Sequence, residues 1–408
     1  MRAGLLGRKL SHSYSPLIHS FLGNYSYELF EREPDMIKSL LDQTDLRGCN
    51  VTIPYKKAVI QYLDILSPTA QKLGSVNTII RTSDGKLYGY NTDHYGSHQL
   101  ILKSGIEVSG KKILVLGSGG ASNTVIQVLY ELGAEPVIIS RSGEYNYDNL
   151  HIHKDAQVII NTTPVGMYPD TDASPIEVRQ FPRLKGVIDL IYNPYRTRLL
   201  MDAEENGIPN INGLWMLVAQ AKRSAELFLE TELPDSIIGE IHREVNAKMR
   251  NIILIGMPGC GKSTVGNALA NALGKPFLDS DYEICRMTGK SIPQIIQEDG
   301  EAAFRKKESK VLLDFGKRSG IILATGGGCV TVPENRSLLR QNSTVIWLQR
   351  ALEKLPTYGR PLSQTTSLQK MYEMRAPLYE QFSDVIVSND GSLDDTINSI
   401  IQYLEEKQ

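Results

Sequence analysis

The stretch Gly256-Met-Pro-Gly-Cys-Gly-Lys-Ser-Thr264 constrains this chain more than any other. An apolar run, Asn251-Ile-Ile-Leu-Ile255, precedes it and reads as a short buried strand. Val265, Ala268, Leu269, Ala272 and Leu273 follow at helical spacing and stop at Gly274. Strand, G-x-x-x-x-G-K-S and helix together make a phosphate-binding loop. Gly259 and Gly261 let backbone N–H groups curl round a phosphate, and the helix N-terminus adds partial positive charge. Lys262 would reach the β- and γ-phosphates of a nucleotide, with Ser263 and Thr264 beside it and Ser263 on Mg²⁺. A bare glycine-rich turn would need neither the full spacing nor the Lys-Ser pair. Such a loop opens its own α/β domain, so a domain begins near residue 250 and the residues before it need a separate account.

At 408 residues two or three domains are expected. A net charge of −2 leaves no basic excess for nucleic acid. No apolar run approaches the ~18 residues of a membrane span. Charge returns within a few residues of Met1, unlike a secretory signal. Cys49, Cys260, Cys285 and Cys329 are widely spaced with no C-x-x-C, which suits reduced thiols in a cytoplasm.

Ala3-Gly-Leu-Leu-Gly7 reads as a first strand, followed by a loop carrying Ser11-His-Ser-Tyr-Ser-Pro16. Ser13 and Ser15 either cap the next helix or present hydroxyls to a polyhydroxylated ligand. Gly48-Cys-Asn-Val-Thr-Ile-Pro54 reads as a strand ending at the proline, with Thr52 inside it and Lys56 just past its end. Asn77 and Asp93 end neighbouring segments around the hairpin signal Ser83-Asp-Gly85. On residue type alone, Lys56 is surface and Asp93 a helix cap. The order Ser-x-Ser-x-Pro, N-V-T-I-P-Y-K, V-N-T and N-T-D-x-x-G resembles shikimate dehydrogenase. The resemblance implies that Ser13, Ser15, Thr52 and Asn77 contact substrate and that Lys56 and Asp93 are the catalytic pair. Hydride addition to a ketone leaves an alkoxide; a lysine at that oxygen stabilises the charge and delivers a proton.

Lys111-Lys-Ile-Leu-Val-Leu-Gly117 is a buried strand, and Gly117, Gly119, Gly120 and Ala121 turn it into a helix. Pro136-Val-Ile-Ile-Ser140 is the next strand, which makes the start of a dinucleotide-binding βαβ unit. An NAD site wants an acid after that strand; Ser140-Arg141-Ser142 instead offers a guanidinium to a 2′-phosphate, so NADP is expected. By the same resemblance Thr163 and Met167, in Asn161-Thr-Thr-Pro-Val-Gly-Met167, lie beside the nucleotide. The resemblance also implies that Tyr192 lies at substrate and nicotinamide and that Gln220 touches substrate. Gly213 would let backbone approach the nicotinamide.

After the phosphate loop, Pro276-Phe-Leu-Asp-Ser-Asp281 is a strand ending in two acids. Arg305 sits on a helix in G-E-x-x-F-R-x-x-E, and Ile321-Ile-Leu-Ala-Thr325 runs into three glycines. Arg-Pro-Leu at Arg360 and Arg-x-Pro-Leu-Tyr at Arg375 close the set, which resembles shikimate kinase. The resemblance implies that Asp281, Arg305, Gly327, Gly328 and Arg375 bind shikimate, that Asp279 lies toward Mg²⁺, and that Arg360 is a lid arginine. Two arginines suit a carboxylate. Arg336, Arg340 and Arg350 read as surface ion-pair residues. The adenine-side arginine that this family often carries before its lid is absent.

The expected fold class is α/β. Residues 1–100 form a substrate domain completed by a return helix at 205–232, and 101–204 form a Rossmann-type NADP domain. Residues 233–250 form a linker with one short helix, and 251–408 a P-loop kinase domain. The expected function is reduction of 3-dehydroshikimate by NADPH, then phosphorylation of shikimate by MgATP, in the cytoplasm. The alternatives are a non-catalytic shikimate- or quinate-sensing regulator and a quinate-preferring dehydrogenase. Partners are small molecules, with a homodimer as the one protein partner entertained.

Overall fold

The computed structural model describes residues 1–10, 13–355 and 368–406. It divides into two compact units. Unit 1 is Met1–Gly166, Asp172–Tyr192 and Leu199–Val245; unit 2 is Met167–Thr171, Asn193–Arg198 and Asn246–Gln408.

Unit 1 holds two sheets. The first is built from β1 (Arg2–Gly7), β2 (Ser26–Glu31), β3 (Leu46–Val51), β4 (Ile65–Leu66), β5 (Thr78–Arg81) and β6 (Leu87–Tyr90), in the order β2-β1-β3-β5-β6-β4. Its strands are parallel around β1, while β5 runs antiparallel to both β3 and β6. Leu6, Phe30, Leu40, Val51 and Ile79 pack one face. The other face takes Phe228 from the helix Leu214–Leu229, so a late segment completes an early sheet. β3 stops at Val51, short of the expected proline: Thr52 N–H makes the last bond to β1, at the Leu6 carbonyl, and the chain then turns, with Tyr55 N–H on the Thr52 carbonyl. Ile53 is thereby left 78% exposed in a turn.

The second sheet is β7 (Lys112–Leu116), β8 (Glu135–Ile139), β9 (Val158–Asn161), β10 (Gly186–Asp189) and β11 (Asn210–Ile211). All its strands are parallel, in the order β11-β10-β9-β7-β8. The order reverses at β7, and ligands of such sheets bind at the carboxyl ends beside that point.

Unit 2 carries a third, wholly parallel sheet: β12 (Asn251–Ile255), β13 (Phe277–Asp279), β14 (Ile322–Ala324), β15 (Ser343–Gln349) and β16 (Val385–Ser388). Its order is β13-β14-β12-β15-β16. β12 is fully buried, as a near-continuous apolar run in a covered parallel sheet should be. In sequence, between the strands of the second and third sheets, residues 236–249 form one continuous helix, Ser236–Met249, longer than the short helix expected there. Ile238, Ile241, Val245 and Met249 recur at helical spacing and are all buried, which holds it in place.

Candidate active sites

The first site grows from the ends of β3, β5 and β6. Lys56 follows the turn after β3, and Asp93 is the first residue of the helix Asp93–Ser104 after β6. The Lys56 ammonium donates to Asp93 Oδ2 at 2.6 Å, with both side chains partly open to solvent. Asn77 is buried beside them; its Oδ1 accepts from Thr92 N–H at 2.7 Å and its amide donates to Thr92 Oγ1 at 3.0 Å. Gln220, on the return helix, receives Thr92 Oγ1 at 3.5 Å. Ser13 Oγ accepts from Ser15 N–H at 3.2 Å just ahead of the helix Ser15–Leu22, whose N-cap Tyr14 makes no side-chain capping bond, and Ser15 is buried. Tyr14 meets Tyr192 edge-on, and burial raises the Tyr192 phenol above its ordinary value.

Sequence reasoning missed what orients this set. Asn50 Nδ2 donates to Ser224 Oγ at 2.8 Å and to Thr78 Oγ1 at 3.1 Å, while Tyr27 donates to Asn50 Oδ1. Ser224 also lies 3.1 Å from Thr92 Oγ1. The network is buried and satisfied, so it fixes Thr92 and, through it, Asn77 and Gln220. Ser224 carries no sequence signal of its own, because it reads as one more small residue on a helix.

The dinucleotide loop follows β7. Gly117 has φ +112°, and a Cβ there would meet Thr162 Oγ1, so only glycine suits the turn. Cβ atoms built on Gly119 and Gly120 meet nothing within 4 Å, which leaves open space at the start of the helix Gly120–Glu131 where a pyrophosphate fits. Ala121 is exposed on its first turn. At the end of β8 Ser140 is buried, its N–H bonded to the Tyr145 carbonyl, while Arg141 and Ser142 stand exposed on the turn so closed. Thr163 is tied back, its hydroxyl donating to Asn161 Oδ1 at 2.7 Å, and Met167 is 45% exposed. Gly213 has a structural reason that the sequence did not show: a Cβ there would fall 1.9 Å from the Leu190 carbonyl oxygen.

The third site is a cavity of about 620 Å³ in unit 2, at the carboxyl ends of β12, β13 and β14. Lys262, Ser263 and Thr264 open the helix Lys262–Leu273 under it. The Lys262 ammonium is folded onto the loop, donating to the carbonyls of Gly256 and Met257 at 2.9 and 3.0 Å. Ser263 Oγ donates to Asp279 Oδ2 at 2.6 Å, so the two groups expected around a cation already face each other. Asp279 Oδ1 meanwhile caps the helix Ser280–Thr288. Among the described residues Asp281 Oδ1 is buried with no hydrogen-bond partner, an acceptor waiting for a donor. Burial, then the neighbouring Asp279, raises the Asp281 carboxyl above the usual range. Arg305 donates to Glu308 at 2.7 Å and to Glu301 at 3.0 Å. Arg375 donates to the Gly327 carbonyl at 3.2 Å, and Tyr379 donates to the same oxygen. Gly327 lies against Pro258, and a Cβ on Gly328 would collide with the Arg305 guanidinium. Glu308 is a second omission: its place in the quoted motif was visible, but its full burial against Arg305 was not. Arg360 lies outside the described residues. Arg350 departs from its expected surface role, since it lines this cavity.

Known proteins agree with both halves. The family model for the shikimate dehydrogenase substrate binding domain matches residues 5–79, and that for shikimate kinase matches residues 258–405. A shikimate dehydrogenase (NADP(+)) of Clostridium perfringens is 34% identical over 267 residues, covering 60% of this chain and 98% of the relative. The chain belongs to the shikimate dehydrogenase family. Another member, from Methanococcus maripaludis, is 37% identical over 278 residues, covering 60% of this chain and 97% of that one. Among solved structures, a chorismate mutase/shikimate 5-dehydrogenase fusion protein from Clostridium acetobutylicum superposes with a TM-score of 0.58 at 35% identity, over 60% of this chain and 97% of its own. The shikimate 5-dehydrogenase of Thermus thermophilus, in complex with NADP(H) and shikimate, gives 0.55 at 32%, over 60% and 99%. Beyond its shikimate dehydrogenase part the chain thus carries a shikimate kinase domain. Among the described residues no helix is long and apolar enough to cross a membrane.

Proposed function

We propose that one chain catalyses two consecutive steps: NADPH-dependent reduction of 3-dehydroshikimate to shikimate in unit 1, and MgATP-dependent phosphorylation of shikimate in unit 2. The observation that carries the reading is the pairing, in one chain, of the Lys56–Asp93 contact with the Ser263–Asp279–Asp281 constellation over a phosphate loop. In unit 1, Lys56 holds the substrate carbonyl oxygen and gives its proton as the alkoxide forms; Asp93 keeps the ammonium oriented. Ser13, Ser15, Thr52, Asn77 and Gln220 hold the hydroxyls and carboxylate, with Tyr192 over the ring. Bound NADPH supplies the hydride, with Gly117, Gly119, Gly120 and Ala121 at its pyrophosphate and Arg141 on its 2′-phosphate.

In unit 2, Arg305 and Arg375 hold the substrate carboxylate. Asp281 accepts a hydrogen bond from the attacking hydroxyl; its raised pKa makes it a better base than a solvated carboxylate. Lys262 leaves its two carbonyls to meet the transferred phosphoryl group. Ser263 and Asp279, already facing each other, would hold a Mg²⁺, which would offset charge on the phosphates. We place the enzyme in the cytoplasm, which its four free cysteines support.

A coupled assay tests the reading. With 3-dehydroshikimate, NADPH and MgATP present, ADP release should require NADPH. NADPH loss without ADP release, even with added shikimate, would remove the kinase half of the proposal.

A further inference from the structure

We infer that Arg350 is a nucleotide-binding residue of the kinase unit, holding the end of the phosphate chain nearer the nucleoside. The inference rests on the kinase reading of unit 2.

The phosphate loop leaves β12, which has β14 and β13 on one side and β15 and β16 on the other. Asp279, on the cation side, ends β13, and the acceptor residues Asp281 and Gly326–Gly328 follow β13 and β14. The transferred phosphoryl group therefore faces that side, and the rest of the nucleotide extends toward β15 and β16. Arg350 stands there, the first residue after β15. Its neighbour Asn389, the first residue after β16, is fully engaged: its amide donates to the Cys260 carbonyl at 2.7 Å and its oxygen accepts from Thr396.

Arg350 is not engaged. Among the described residues its guanidinium makes no hydrogen bond or ion pair, and its Nε is buried without a partner. Asp390, the acid whose carboxyl it helps hold below the usual range, is taken by Ala351 N–H and by Lys354. One Arg350 terminal nitrogen lies 4.0 Å from where a Cβ of Gly261 would stand, so the cation rests against the N-terminus of the helix Lys262–Leu273. A cation at the positive end of a helix, with a buried donor unpaired, is unfavourable twice over. A polyphosphate removes both penalties, because it faces the helix N–H groups and the guanidinium together. The arrangement also supplies a cation on the side where the expected adenine-side arginine is missing.

The test compares full-length Arg350→Ala and Arg350→Lys with the unaltered chain. Arg350→Ala should raise the KM for ATP and the Kd for ADP by about ten- to a hundredfold. The KM for shikimate and the dehydrogenase rate should not move, and Arg350→Lys should restore part of the loss. If Arg350→Ala stops kinase turnover, calorimetric titration with ADP decides: a weakened Kd supports the contact. An unchanged ADP Kd overturns it, and so does a shikimate KM that shifts as far as that for ATP. Wild-type protein without shikimate-dependent ADP release would refute the kinase reading itself, a different result from any of these.

Discussion

Glu308→Gln probes how the acceptor site of the kinase is held. Glu308 is fully buried, accepts from Arg305 at 2.7 Å, and its pKa is raised chiefly by burial. Removing one partner of a buried ion pair costs about 3–5 kcal/mol, because the other charge is left uncompensated. Two facts place this case at the lower end. Arg305 keeps a second bond to Glu301, which is 47% exposed, and the substitution also removes a carboxylate that was costly to bury. About 3 kcal/mol, in a unit of this size, corresponds to a fall in melting temperature of roughly 6–12 °C. The functional effect is separate. On the proposed function Arg305 points at the substrate carboxylate, and a charge-assisted hydrogen bond is worth about 1.5–3 kcal/mol, so the KM for shikimate should rise roughly ten- to a hundredfold. Kinase turnover against shikimate at saturating ATP, with calorimetry, reads both; dehydrogenase turnover in the same sample reports intact protein. A lowered melting temperature with an unchanged shikimate KM would show that Glu308 supports the fold and does not aim Arg305.

Lys56→Ala should lower 3-dehydroshikimate reduction by about 10²–10⁴-fold while phosphorylation continues, as separate assays of NADPH loss and ADP release would show; equal loss of both would sink the two-site account. Asp281 has a raised folded pKa, so its ionisation costs stability as pH rises through the ordinary carboxylate range. Asp281→Asn should therefore raise the melting temperature near neutral pH and abolish phosphorylation, with the gain disappearing only below the unfolded value of 3.8, where folded and unfolded chains are both protonated. His19 is buried, stacked on Tyr27 and 2.6 Å from the Tyr25 hydroxyl, with a pKa pushed down to about 3 by burial. Its neutral form contributes stability above the unfolded value of 6.5, lost as pH falls toward 3 at up to about 1.4 kcal/mol per pH unit. Acid titration of His19→Gln should show a flatter decline, and a curve parallel to wild type would exclude His19 as the acid-sensitive group.

The parts of this protein legible in sequence were those fixed by local backbone demands. The strand–loop–helix of Gly256–Thr264 could be read because glycines, a lysine and flanking apolar periodicity must sit at fixed spacing. The Lys56–Asp93 contact was reachable only through resemblance, because 37 positions separate two residues that look ordinary alone. Long-range burial was not legible. Nothing in the run around Ser224 shows that its hydroxyl closes a network with Asn50 and Thr78, and nothing near Glu308 shows that it lies dry beside Arg305. Arg350 was misread for the same reason: whether an arginine finds a surface acid or a phosphate cavity depends on which strand ends lie beside it.

The helix Leu214–Leu229 also limits how the chain can be cut. Phe228 fills the face of the first sheet, where a Cβ on Gly48 would lie 2.3 Å from its ring, and Ser224 closes the polar network beneath Asn77. A fragment ending near residue 100 would expose an apolar face and leave Asn50 short of an acceptor. An excised dehydrogenase must therefore extend past Leu229, whereas a fragment beginning after that helix takes nothing from the first sheet's core. The excised dehydrogenase must in fact run on to Val245, because Asp235 is held by Lys222 and Tyr95 and His242 lies against Trp215, so a cut just after Leu229 would strip unit 1 of a segment packed into it.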